Sequence, residues 1–448
     1  MNYDIVIIGG NPAGAAVAVA AKKLHKNKSI LIIRKEPESL IPCGIPYIFG
    51  SLNSVEDNIK SIEPAKKMGI DFLIDEAISI NTSNNEINLK ISSSVTYNKL
   101  IIATGSTPFI PPIKGNNLDG VYTIKKQIDY IKSIVKPLKQ AENIVIIGAG
   151  FIGLEMSDEL AKTGKNVTLI ESMESVLPLA FDKDMTEPVS KTLIQHGVSI
   201  KTNSIVEEIL GVNGKVSGVK LKNGEIINAD KVILSIGYKS NTTLAKNCGI
   251  EIGVFGGIIT DEYLRTNKPN IFAVGDCVEH RDFFTRKPSK ILLASTAASE
   301  ARIAGMNLFD LRVIRQTKGS IAIFSSSLHD ISMGAAGLTE KQANNEGFNI
   351  IIGESKGFDH HPAKLKGTSE VKIKLIFSKS SGVILGAQII GGQSTGEMTN
   401  ILGVAIQKYM TASELAIMQY GTQPALTAGP GDYPIVIAAM NAVQQMCK

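Results

Sequence analysis

Cys43 stands in Ile41-Pro42-Cys43-Gly44-Ile45-Pro46-Tyr47, between residues that fix a turn. At a helix start the dipole would favour its thiolate, the form that attacks disulfides. Taken alone, the residue reads more readily as a buried structural cysteine. A second chemistry is offered by Gly148-Ala149-Gly150-Phe151-Ile152-Gly153. In such a turn Gly148 permits the bend, Gly150 lets backbone approach a pyrophosphate, and Gly153 packs helix on strand. Glu171 follows eighteen positions after Gly153, where a carboxylate accepts from ribose hydroxyls and repels a 2′-phosphate. No Lys or Arg lies in 171–177, so the spacing favours NADH over NADPH.

A third group is Gly9-Gly10-Asn11-Pro12-Ala13-Gly14, with Asn11 at the middle glycine position. Arg34 stands twenty positions beyond Gly14, where an acid would meet the ribose, and Glu36 is two further on. Glu36 could take the acid's role, with Arg34 packing over an adenine or meeting a phosphate. By itself this turn is equally a structural one.

These groups need strands and helices to hold them. The run Asp4–Ile8, the glycine turn, an Ala/Val-rich helix to about Leu24 and the strand Ser29–Ile33 make one βαβ unit. The pattern returns with Asn143–Ile147, the second turn, a helix from Leu154 to Lys162 and the strand Asn166–Ile170. Two such units imply two dinucleotides. Ser106-Thr107-Pro108 with Pro111-Pro112 marks one domain crossing, and 253–258 a second. Beyond about Arg315, strands at Ile321–Phe324, Val371–Phe377 and Ile384–Ile390 alternate with helices at Thr339–Glu346, Gly396–Tyr409 and Pro434–Met446.

Composition narrows the class. The 448 residues suffice for several domains, and the net charge of +5 is spread without a basic block, against a nucleic-acid arm. Four cysteines without CxxC spacing suggest neither a zinc ribbon nor a disulfide scaffold and fit a reducing cytoplasm. No leader peptide and no membrane span is expected, because glycines and Pro12 interrupt the longest apolar run. His360 and His361 stand in tandem without a third ligand at suitable spacing and read as surface histidines.

Together, the Gly9–Gly14 turn, Cys43-Gly44-Ile45-Pro46-Tyr47, Ala103-Thr104-Gly105, Gly148–Gly153 with Glu171, Ala273-Val274-Gly275-Asp276 and 333–340 span nearly the full chain. This pattern resembles the flavin-dependent pyridine nucleotide-disulfide oxidoreductases, in the single-cysteine branch of coenzyme A disulfide reductase, NADH oxidase and NADH peroxidase. The resemblance implies an α/β fold of two Rossmann-like domains, for FAD and NAD, plus a C-terminal α+β dimerisation domain. Its boundaries would be 1–112 with 254–315 for FAD, 113–253 for NAD, and 316–448 for a homodimer interface. Among FAD residues it places Gly9, Asn11, Pro12, Ala13, Gly14, Arg34, Glu36, Thr104, Gly105, Gly275, Asp276 and Ala294, with Asp276 on the ribityl chain, and it adds Gly237 as a further cofactor-binding residue. For NADH it implies Gly148, Gly150, Phe151, Ile152, Gly153 and Glu171.

The resemblance makes Cys43 a redox cysteine, with no second cysteine in 38–48 to close an internal disulfide. The dithiol members carry a His-Pro proton donor where this chain has Gly421–Ala428, and Gln423 cannot be a general acid. Tyr47 and Tyr420, the latter from a partner subunit, are then the hydrogen-bond donors to sulfur, or simple packing tyrosines. Pro12 replaces the histidine typical of the oxidases and peroxidases. The expected activity is therefore NADH-dependent reduction of a small disulfide, persulfide or polysulfide, coenzyme A disulfide foremost. Lys22 and Lys23 would meet coenzyme A phosphates, or merely solvate a helix end. The alternatives are an NADH oxidase or peroxidase cycling Cys43 through sulfenic acid, and a non-catalytic flavoprotein sensor. Cys277 is expected to be buried without redox duty.

Overall fold

The first βαβ unit forms as a strand at Asn2–Ile8, a helix at Pro12–Leu24 and a strand at Ile30–Arg34. The strands pair in parallel, Ile5 opposite Ile30 and Ile8 opposite Ile33. Both faces of Ile5, Val6 and Ile7 are sealed, which is why the run is continuously apolar rather than alternating. The computed structural model describes residues 1–316 and 318–447.

The chain divides into two compact units: 1–109, 124–136 and 237–320 in one, and 110–123, 137–236 and 321–448 in the other. In the first unit, Val95–Ile102 pairs in parallel with both Asn2–Ile8 and Ile271–Ala273, so a late segment completes the sheet begun at the N-terminus. Lys99 Nζ donates to Asn270 Oδ1, 171 positions later. Residues 237–253, grouped by sequence with the second turn, fall in this unit. Tyr238–Ser240 pairs antiparallel with Ser106–Pro108, and Ala245 and Ile250 pack with Val95 and Leu100.

In the second unit, five parallel strands run in the order Val121–Thr123, Lys231–Leu234, Asn143–Ile147, Asn166–Ile170, Val198–Lys201. Its C-terminal part is a five-stranded antiparallel sheet ordered Ile323–Leu328, Ile331–Gly337, Ile384–Gly391, Glu370–Ser378, Ile350–Phe358. The helix Pro434–Met446 lies on the last strand so closely that a Cβ on Gly353 would meet the Ala438 carbonyl oxygen at 2.1 Å. No helix among the described residues is long and apolar enough to cross a membrane.

Candidate functional site

The first glycine turn is held by backbone contact. Gly9 has φ +110°, and a Cβ there would lie 2.2 Å from the Ala103 carbonyl oxygen. A Cβ on Gly14 would lie 1.8 Å from the Gly9 carbonyl oxygen. The turn therefore folds back on its own helix, which opens at exposed Asn11 with Pro12 at its first position and no side-chain cap. Uncapped amides at a helix N-terminus suit a pyrophosphate. Gly275, at φ +78°, faces this first turn, where an added Cβ would stand 2.8 Å from Ala13 Cβ.

Arg34 is 5 % exposed, and only one of its nitrogens, Nη2, is engaged, at 2.6 Å from Ser39 Oγ. Nε and Nη1 are buried without a hydrogen-bond partner among the described residues, beside Gly10. A buried cation with two idle donors fits an anionic or ring-nitrogen ligand such as a dinucleotide supplies. Glu36 accepts from the Ile128 amide at 3.3 Å, and burial pushes its carboxyl above the usual range.

Thr104 and Asn241 lock the turn at Gly105: Thr104 Oγ1 donates to Asn241 O at 2.6 Å, and Asn241 Nδ2 returns a bond to Thr104 O at 3.0 Å. Asp276 Oδ2 accepts from Lys126 Nζ at 2.8 Å and Ser106 Oγ at 2.7 Å. Burial alone would raise this carboxyl; the Lys126 charge and these bonds bring it below its ordinary value. Its other oxygen accepts nothing among the described residues, leaving room for a ligand hydroxyl. Gly237, at φ +102°, has open space where a side chain would be, and Ala294 is exposed at the uncapped start of the helix Ala294–Met306.

Cys43 is exposed on a loop, 41–58, whose ends are joined by a short antiparallel ladder of Ser39–Leu40 with Ile59–Lys60. No α-helix starts there. Pro42–Gly44 and Pro46–Phe49 are two short 3-10 turns, because Pro46 has no N–H to bond the Pro42 carbonyl as an α-helix requires; Ile45 N bonds it instead, at 3.3 Å. The expected helix dipole on Cys43 is accordingly withdrawn. What fixes the loop is Asn58, 3 % exposed, whose Nδ2 and backbone O both bond Ile41. A Cβ on Gly44 would lie 2.0 Å from Asn58 Oδ1. Nothing in the local sequence marks Asn58; only the contact shows it. Tyr47 is half-buried in the second turn of the loop.

Cys277, by contrast, is fully buried, and burial pushes its thiol up to about 11. It is no nucleophile at neutral pH. Lys22 Nζ bonds the Lys28 carbonyl at 3.1 Å, and Lys23 is exposed one position along the helix. Neighbouring positions differ by about 100° around a helix, so the two side chains leave it in different directions.

The second turn repeats the first. Gly148 has φ +103° with a virtual Cβ 2.5 Å from the Ser235 carbonyl oxygen, and Gly153 would meet Gly148 O at 1.9 Å. Gly150, the uncapped N-cap of the helix Phe151–Ala161, has nothing within 4 Å of its missing side chain. Phe151 stacks on Phe324 at 5.0 Å, and Ile152 is half-buried. Glu171 accepts from the Ala149 amide at 2.9 Å and the Met173 amide at 2.9 Å, which sets it against the turn with lone pairs to spare. Glu174 adds a second negative side chain nearby in sequence, against a 2′-phosphate.

One further carboxyl escaped the sequence reading. Glu155, one turn into that helix, accepts from Ser326 Oγ at 2.7 Å, and burial, reinforced by Glu159 and Asp158, pushes it up to about 7. Because its folded pKa lies above the unfolded value of 4.5, the folded state binds the extra proton between those values and loses stability as pH rises through them. Relative to Glu155→Gln, the native chain should lose on the order of 2 kcal/mol between pH 4.5 and pH 7 and nothing more above pH 8. Melting curves of both proteins across that range test this; parallel curves would place the charge elsewhere.

Tyr420 belongs to the second unit, whereas Cys43 and Tyr47 belong to the first. Its hydroxyl donates to the Pro430 carbonyl at 2.8 Å, and its ring packs on Tyr433 at 4.0 Å.

The chain is similar to known proteins along most of its length. Residues 3–301 match the family described as pyridine nucleotide-disulphide oxidoreductase, and 323–431 match its dimerisation domain. An NADH oxidase of Methanocaldococcus jannaschii is 33% identical over 98% of this chain and 99% of its own length. An NAD(P)H coenzyme A polysulfide/persulfide reductase of Pyrococcus horikoshii is 33% identical over 87% of this chain and 88% of its own. The solved NAD-dependent persulfide reductase from A. fulgidus superposes with a TM-score of 0.91 at 30% identity, covering 99% of this chain and 83% of that one.

Proposed function

Since the chain belongs to the pyridine nucleotide-disulphide oxidoreductase family, we propose that it uses NADH and FAD to reduce a small disulfide, persulfide or polysulfide at Cys43, with coenzyme A disulfide the favoured substrate. When bound, the two cofactors supply the electron pair. The chain supplies the rest. The glycine turns at Gly9–Gly14 and Gly148–Gly153 orient the pyrophosphates, Arg34 and Asp276 hold the FAD side, and Glu171 selects the unphosphorylated ribose. The Cys43 thiolate attacks one sulfur of the substrate S–S bond, forms a mixed disulfide with that half, and expels the other half as a thiolate that takes its proton from solvent. Two electrons, which NADH would supply by way of FAD, then split that mixed disulfide, returning the Cys43 thiolate and releasing the second half of the substrate as a thiol.

The observation that carries this reading is the exposed Cys43 on the unit that bears the first nucleotide turn, in a loop without a second cysteine. With no second cysteine in that loop, a thiol that turns over on disulfides takes its partner sulfur from the substrate. Supporting it, two of the relatives above are named for persulfide or polysulfide reduction. The three-domain division, a homodimer in which Tyr420 of one copy attends the other's site, contact of Lys22 and Lys23 with coenzyme A, and a cytoplasmic location are parts of the same proposal. The match of 323–431 to a dimerisation domain supports the homodimer, and the absence of CxxC spacing among the four cysteines fits the location.

The second reading is an NADH oxidase, favoured by the relative of that name spanning nearly the whole chain. The test is NADH consumption measured without oxygen, on coenzyme A disulfide or a persulfide, against consumption in air without them. Sulfur substrates should win, with NADH preferred over NADPH by about 10-fold or more in kcat/KM. Faster turnover on oxygen would reverse the ranking.

A further inference from the structure

Residues 124–136 lie in sequence between two stretches of the second compact unit, yet they belong to the first. Three of them reach other segments of that unit. The Ile128 amide donates to Glu36 Oε2 at 3.3 Å, Lys132 Nζ meets Glu56 Oε1 at 2.7 Å, and Lys126 Nζ meets Asp276 Oδ2 at 2.8 Å. The Lys132 bridge is exposed and holds little. The other two engage Glu36 and Asp276, the two carboxylates that the resemblance places among the FAD residues. One strap attends to both, and no motif in the sequence marks Lys126 for it.

The Lys126 pair is more than a surface bridge. Its side chain is 25 % exposed and that of Asp276 17 %. Ser106 Oγ closes a triangle with them, accepting from Lys126 Nζ at 3.0 Å and donating to Asp276 Oδ2 at 2.7 Å, and the Tyr238 ring centre lies 5.1 Å from the ammonium. Both bonds to the carboxylate fall on Oδ2, which leaves Oδ1 as the oxygen for a ligand hydroxyl. The other ionisable neighbours do not replace the lysine. The Tyr238 hydroxyl spends its hydrogen on the Ile124 carbonyl at 2.6 Å, and the buried Cys277 thiol is neutral. His280, four positions beyond Asp276, is 3 % exposed and holds Nδ1 at 3.1 Å from Glu300 Oε1, with Arg315 also acting on it, so Glu300 already balances its charge. Without Lys126, burial would push the Asp276 carboxyl upward.

We infer that Lys126 is a positioning residue for the flavin: its ammonium keeps Asp276 ionised and leaves Oδ1 to accept from a hydroxyl of the ribityl chain. The inference rests on the placement of Asp276 at FAD in the proposed function. An ionised acceptor makes a hydrogen bond roughly twice as strong as a neutral one. No bond is made or broken at Lys126 itself.

The test reads FAD affinity against pH, by flavin fluorescence as purified holoenzyme is diluted into buffers from about pH 6 to about pH 9. Native enzyme should give a nearly flat profile. Lys126→Gln keeps a hydrogen-bond donor and loses the charge. It should bind FAD about 10-fold or more weakly near pH 6 and approach native affinity near pH 9, since a carboxyl raised by burial loses its ionised form as pH falls. Lys126→Met should show the same slope and stands in if the glutamine variant fails to fold. Lys126→Arg should restore the flat profile. Lys126→Gln combined with Asp276→Asn should be weak at every pH, because the titrating group is gone. A uniform loss in Lys126→Gln would make the lysine a mere brace, and a native-like profile would make it idle; either overturns the inference, as does a slope that survives Asp276→Asn. Because affinity is read and not turnover, such a failure leaves disulfide reduction at Cys43 untouched. Native enzyme that binds no FAD would remove the functional reading, and this inference with it.

Discussion

Replacing Cys43 by serine should abolish NADH-dependent disulfide reduction, by more than about 10³-fold in kcat/KM, while the protein stays yellow and folded. A hydroxyl is not ionised at neutral pH, whereas a thiol is partly so and intrinsically far more nucleophilic. The exchange is nearly isosteric and lies at an exposed position, so stability should move by no more than about 0.5 kcal/mol. The loop itself is held by Asn58 and by the ladder at Ser39–Leu40, neither of which uses the sulfur. Steady-state rates with coenzyme A disulfide, read beside the flavin absorbance and the melting temperature, give the answer. A serine variant with its full reductase rate would end the proposed route. Mass spectrometry of the native protein gives a companion observation, since an adduct on Cys43 would name the bound thiol.

Alanine at Gly14 should have the second largest effect. The added methyl would stand 1.8 Å from the Gly9 carbonyl oxygen, and that atom is backbone in a turn already pressed on Ala103. The helix or the turn has to move, at an expected cost above about 3 kcal/mol, and the uncapped helix start moves with it. The variant should therefore be purified colourless or not at all. Gly105→Ala makes the useful contrast: it too is at a positive φ, +68°, but open space surrounds the site. Only the left-handed backbone is penalised there, by on the order of 1–2 kcal/mol, and flavin should be retained. If both variants kept flavin equally well, close backbone contact would not be what shapes the turn.

The legible parts of this chain are those whose constraint is local. Gly148, Gly150 and Gly153 could be read because each solves a separate problem within six residues, and the structure repeats the pattern at Gly9 and Gly14. The helix Pro434–Met446 was bounded correctly because Pro at its first position is a strong start signal. The Cys43 turn was misread as a helix start because the effect of Pro46 on the Pro42 carbonyl lies one turn ahead. Asn58, Asn241 and Glu155 were missed for a different reason. Asn241 and Glu155 act on residues 137 and 171 positions away, where no spacing rule reaches, and Asn58 acts 17 positions away across a loop that has no repeating pattern.

The strand Ile271–Ala273, which completes the first sheet alongside Val95–Ile102, has a bearing on how the protein is made. A ribosome releases the chain in order, so the parallel strands near the N-terminus emerge long before the one that seals their edge. Until then Leu100, Ile101 and Ile102 present an open, apolar border to the crowded cell. The intervening segments must fold in the meantime without stealing that border, and chaperone capture of stalled nascent chains should peak just before residue 271 leaves the exit tunnel.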